Sequence, residues 1–126
     1  MKKILLIVMM IFVLGSVSAQ AKCDGGEPIK GANTHEYCLS SKGMTWWSAH
    51  VWCEKQGRKL VTMNEACIDW HGSTGDFCPN LKVGKERWVW TANPYGSDGA
   101  FHVNLSFGRI QNAGSRINTS HYALCY

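Results

Sequence analysis

Six cysteines in 126 residues, Cys23, Cys38, Cys53, Cys67, Cys78 and Cys125, constrain this chain more than any other feature. An even count in so short a chain reads as a disulfide framework, the staple of small domains that cannot bury enough apolar surface to hold themselves. Six cysteines permit fifteen pairings, and spacing alone does not choose among them. Metal binding is the competing use. Its best local grouping, Cys67, His71 and Cys78, lacks a CxxC spacing and needs a fourth ligand from His50, His102 or His121. A redox role needs the CxxC motif that the chain lacks. The reading is therefore a structural framework, with no metal and no cofactor.

Export supplies the oxidising compartment that such a framework requires. Lys2 and Lys3 precede the eleven-residue apolar run Ile4 to Leu14, and the small residues Gly15, Ser16, Ser18, Ala19 and Ala21 follow. This is the pattern of a bacterial secretory signal peptide over residues 1–21, with a mature domain over 22–126. Cleavage after Ala19 or after Ala21 fits, the second better. Lys22 before Cys23 argues against lipoprotein acylation. Eleven apolar residues fall short of the ~20 that span a bilayer, so no membrane span is expected after cleavage. The expected location is secreted or periplasmic.

Removing the leader takes two of the thirteen basic residues and none of the nine acidic ones, which leaves a formal +2. Lys and Arg are then scattered among Asp and Glu, unlike the basic blocks that nucleic-acid binding requires.

Along the mature chain, residues 22–36 carry Gly25, Gly26, Pro28 and Gly31 and read as a loop or short hairpin. A Cys23–Cys38 bridge would tie this segment down. Thr45 is a suitable N-cap for a first helix over Trp46 to Gln56, with Trp46, Ala49 and Cys53 on one face and Gly57 as the stop. Lys59-Leu60-Val61 reads as a short strand. The Thr62-x-x-Glu65 capping box opens a second helix expected to run to about Trp70. Ten residues separate Cys67 from Cys78, a loop whose ends a bridge would pinch. Beyond Pro79 the pattern turns to strands: Trp88-Val89-Trp90-Thr91, the alternating Phe101 to Ser106, a hairpin turn into Arg109 to Asn112, and a last strand over His121 to Cys125. The order expected is two helices followed by a small antiparallel sheet, an α+β fold.

Trp46, Ala49, Cys53, Gly57 and Leu60 reproduce the pattern W-x2-A-x3-C-x3-G-x2-L, which resembles the first helix of C-type lectin-like domains. The capped second helix, the strand Trp88-Val89-Trp90 and the ending Ala123-Leu124-Cys125-Tyr126 extend the resemblance over the mature chain. It implies that Cys53 pairs with Cys125. It also implies an N-terminal pair, Cys23 with Cys38, as in the longer form of that family, which leaves Cys67 with Cys78. The Glu-Pro-Asn or Gln-Pro-Asp and Trp-Asn-Asp tripeptides with which the family binds calcium and sugar do not occur, and Ala92-Asn93-Pro94 comes closest. Compact bacterial versions of the fold are similar in their short late segment.

Trp88 and Trp90 lie two apart on one strand face and suit either a stacking platform for a sugar ring or, more simply, the core. The polar residues Asn93, Tyr95, Asp98, Arg109, Asn112 and Arg116 form the candidate ligand-binding set, because they fall on turns of the late β-region where relatives present ligands; Asn118 lies nearby. No nucleophile–base pair, carboxylate pair or phosphate loop is apparent locally. The function expected is a secreted binding module for an extracellular protein or glycan, independent of calcium. The alternative is a small secreted hydrolase or effector whose active site is assembled from distant residues.

Overall fold

A computed structural model of the protein describes residues 21–67, 70, 76–113, 115–116 and 118–126, with Asn112 and Ala113 placed in backbone only. Residues 1–20 of the proposed leader and the run 71–75, which includes His71, lie outside the described residues. The fold is α+β, with nine elements among the described residues. β1 (Gly26–Lys30) and β2 (Glu36–Met44) come first; α1 (Trp46–Lys55) and α2 (Met63–Ala66) follow. After a 3-10 turn at Pro79–Leu81 come β3 (Trp88–Tyr95), β4 (Gly99–Asn104), β5 (Ile110–Ala113) and β6 (His121–Cys125). All six strands join one sheet in the order β1-β2-β6-β3-β4-β5.

Two expectations about this order are corrected. Strands precede the helices, because the Gly/Pro-rich start closes as the hairpin β1–β2, with Ile29 opposite Tyr37. The sheet is mixed instead of antiparallel: β6 lies parallel to β3, pairing Val89 with Tyr122 and Trp90 with Ala123. Placing the last strand between β2 and β3 puts β6 inside the sheet, beside the β1–β2 hairpin.

Thr45 caps α1 as expected, accepting a hydrogen bond from the Ser48 N–H at 3.3 Å, and Gly57 ends it in the left-handed region at φ 67°. The capping box of α2 also forms, with Thr62 Oγ1 accepting from the Glu65 N–H and Glu65 Oε1 accepting from the Thr62 N–H. That helix nonetheless stops after one turn. The Ala66 carbonyl, which would continue it, accepts instead from Asn80 Nδ2 at 3.0 Å, and the Trp70 N–H turns back to the Cys67 carbonyl. Lys59 to Val61 is likewise less than a strand. Only Leu60 bridges, opposite Cys125, while Val61 donates to the Leu124 carbonyl and accepts from the Ala92 N–H.

All three disulfides close: Cys23–Cys38, Cys53–Cys125 and Cys67–Cys78. Cys38 and Cys125 are cross-strand partners on β2 and β6. Their bridges therefore run outward from one point of the sheet, to the N-terminal segment and to α1. Because Cys67 and Cys78 are bonded to each other, they are not free thiolate ligands.

The sheet buries residues on both faces. One carries an aliphatic cluster that includes Ile29, Leu39, Val61, Met63, Leu81, Val89, Val103, Leu105, Ile110 and Leu124. The other packs under α1 with Trp46, Ala49, Cys53, Trp90, Ala100, Ala123 and Cys125. Trp90 is fully buried, and its indole N–H donates to the Met44 carbonyl at 2.8 Å, the core role.

Candidate functional site

Residues 46, 49 and 53 of α1 point into the sheet, so Trp47 and Val51, one turn apart, face outward. Trp47 is 56% exposed and Val51 51%. Large apolar side chains in the open on a helix otherwise anchored by a disulfide stand out as a recognition surface. Trp47 separates two shallow recesses. One, of about 390 Å³, runs along the helix past Met44, Ser48, Val51, Trp52 and Lys55. The other, of about 270 Å³, lies between Trp47 and Ser97, Asp98 and Arg116.

Arg116 is fixed in the second recess by four contacts. Its backbone N–H donates to the Asp98 carbonyl at 2.7 Å, and its carbonyl accepts from the Trp46 N–H at 3.1 Å. Nη2 donates to the Ser97 carbonyl at 2.6 Å, and the guanidinium lies 5.1 Å from the Trp46 ring centroid. Such a cation over an indole face is attracted by the ring quadrupole. Arg116 has no carboxylate partner among the described residues, and its guanidinium is held in place by the Ser97 carbonyl. The exposed Asp98 adds an acceptor, so the recess offers both signs of charge beside an aromatic face.

The sequence-derived set divides accordingly. Asp98 and Arg116 meet. Asn93 is committed to structure, its Oδ1 accepting from the Met63 N–H at 2.9 Å at the start of α2. Tyr95 lies on the aliphatic side, edge-on to Phe101 at 5.1 Å. Arg109 stands at the entry to β5, at the far end of the β3–β4 hairpin, roughly 20 Å away by the rise of a strand. Asn112 pairs with Phe101 in the β4–β5 ladder, and the exposed Asn118 follows Arg116 by two residues. Trp47 and Ser97 were missed. The i, i+4 pair Trp47 and Val51, opposite the core-facing residues, was the available signal for the first.

A second grouping has no signal in the sequence. His102 on β4 and His121 on β6 stack at 4.5 Å with rings 13° apart, flanked by Trp88 and Trp90, each 4.7 Å from one of them. Burial, aided by the nearby His121, lowers the His102 pKa to about 4; burial lowers that of His121 as well. Both imidazoles are therefore neutral at pH 7. On α1, His50 packs edge-on against Trp46 at 4.3 Å, and burial lowers its pKa against an opposing pull from Glu54.

No protein-family model matches the chain, and no curated protein matches it.

Proposed function

We propose that this protein is an exported binding module of C-type lectin-like architecture, which takes a protein or carbohydrate ligand on the surface around Trp47 without calcium. The carrying observation is Trp47 itself, exposed between two recesses and beside an Arg116 held in place by backbone carbonyls. Aromatic and arginine side chains supply most of the binding energy at protein surfaces. An arginine already held in position loses less side-chain freedom when a ligand arrives. The three closed disulfides suit an oxidising compartment, consistent with export.

Calcium independence rests on ligand chemistry. Asp98 is the only carboxylate side chain between Trp90 and Cys125, whereas a calcium site wants six to eight oxygens with several charges among them. The test is a screen of glycans and surface proteins with the oxidised domain, with and without a chelator, repeated on Trp47→Ala and Arg116→Ala. Binding should survive the chelator and fall at least about tenfold in each variant. Binding undiminished in both variants, or a calcium-induced rise in melting temperature, contradicts the reading. Turnover of a screened glycan or peptide would favour the hydrolase.

A further inference from the structure

A third recess, of about 190 Å³, opens on the α1 side of the sheet and is lined by Trp88, Asn104, Phe107, Arg109 and Gln111. The ladder explains why these residues meet. Trp88 pairs with Asn104 and Trp90 with His102 across β3–β4, and His102 pairs in turn with Gln111 across β4–β5. Directly opposed residues share a face. Phe107 and Arg109 come from the intervening turn, where Asn104 Oδ1 accepts from the N–H groups of Ser106 and Phe107 at 2.7 and 3.3 Å. Gly108 holds that turn in the left-handed region at φ 72°, in a place where any Cβ would collide with the Cys78 carbonyl. The wall is therefore set by backbone that tolerates no side chain.

The chemistry of the lining points to one kind of occupant. The half-buried Trp88 packs against His102 with ring centroids 4.7 Å apart, a contact that restrains its ring. Arg109 is exposed and has no carboxylate partner among the described residues. Since His102 and His121 stay neutral at pH 7, the Arg109 guanidinium is the positive charge among the residues that line this recess. Gln111 and the Nδ2 of Asn104 add amide groups that hydrogen-bond hydroxyls. An aromatic acid would satisfy the platform and the cation but leave both amides unmatched. The volume is below the ~300–1,000 Å³ of drug-sized pockets, so a single ring fits.

We propose that this recess binds one uronic-acid unit, its ring laid on Trp88, its carboxylate paired with Arg109 and its hydroxyls on Gln111 and Asn104. Arginine suits a planar carboxylate because two parallel N–H groups reach its two oxygens. The site is separate from the surface around Trp47 and stands or falls independently of it.

The test is an NMR titration of the oxidised full domain, following the Trp88 indole N–H, with D-galacturonate, D-galactose and a galacturonate tetramer. Galacturonate should shift the signal saturably and bind at least tenfold more tightly than galactose, the selectivity expected of a charge-assisted hydrogen bond. In Arg109→Gln that preference should vanish. Lys30→Gln, which removes the same charge from β1 at the opposite edge of the sheet, should leave it intact. A tetramer that binds tenfold more tightly than the monosaccharide assigns the unit to a polysaccharide; equal binding assigns it to a free acid sugar or a chain end. Undiminished preference in Arg109→Gln overturns the proposal. So does equal loss in Lys30→Gln, or displacement of galacturonate by inorganic sulfate at equal concentration.

Discussion

The two faces of the sheet are built from different materials. One is a mainly aliphatic layer of Leu, Val, Ile and Met with Tyr37 and Phe101 among them, closed at its margin by the short-loop bridge Cys67–Cys78. The other combines alanines, tryptophans and cystine under α1, then runs out past the helix into the pair His102–His121 and the half-exposed Trp88. Aliphatic side chains stabilise through area removed from water and ask nothing of their neighbours. Indole and imidazole groups need hydrogen-bond partners and specific ring geometry. The first face therefore packs mostly without directional partners. The second remains partly open, and both candidate ligand surfaces lie on its side.

The contrast can be broken first at the disulfides. Replacing both Cys53 and Cys125 with Ala should cost about 4 kcal/mol, against about 3 for Cys67 and Cys78, because the sequence separations are 72 and 11. Equal losses in denaturation midpoint would show that loop closure is not what distinguishes the two faces. Next comes Leu124→Ala on the aliphatic face, a fully buried side chain whose truncation should cost about 3 kcal/mol by urea unfolding. A loss below about 1 kcal/mol would mean that this face is less tightly packed than described.

The third prediction is a pH dependence belonging to the open face. Above pH 6.5, His102 is neutral whether the chain is folded or unfolded. Below it, the unfolded chain takes up a proton that the folded chain refuses until about pH 4, so stability falls across that window and then levels. Between pH 7 and pH 5 the loss from His102 amounts to about 2 kcal/mol. His50 and His121, also lowered, act in the same direction. Glu65, which burial pushes up but Lys59 and Thr62 together hold below its ordinary 4.5, loses its contribution only at lower pH and stays outside the comparison. His102→Phe keeps a ring in the stack and should flatten the slope; a parallel slope would place the acid sensitivity elsewhere.

The smallest expected change sharpens the same contrast. Trp47→Ala should alter stability by no more than about 0.5 kcal/mol, because the side chain is mostly in solvent, even as it weakens binding. A loss of several kcal/mol would reassign Trp47 from recognition to packing.

Local chemistry fixed much of this protein in advance. Thr45 and Gly57 bounded α1, the Thr62–Glu65 box placed the start of α2, and the alternation from Phe101 to Leu105 marked β4. The Cys23–Cys38 and Cys67–Cys78 bridges follow short spacings, and Cys53–Cys125 followed from the resemblance of α1 and the last strand. Each of these signals is complete within a few neighbouring residues or one familiar pattern.

The rest depended on strand order, which no short window of sequence contains. Inserting β6 between β2 and β3 made the sheet mixed, set Cys38 beside Cys125 and stacked His121 on His102 across nineteen positions of chain. The end of α2 was decided by Asn80, fourteen residues away, claiming the Ala66 carbonyl. Arg116 and Asp98 became one recess, and Arg109 was separated from them, because the β3–β4 hairpin holds its two ends a full strand apart. Sequence specifies what a side chain can do; which side chains do it together is set by long-range pairing, whose energy appears only when distant segments close on one another.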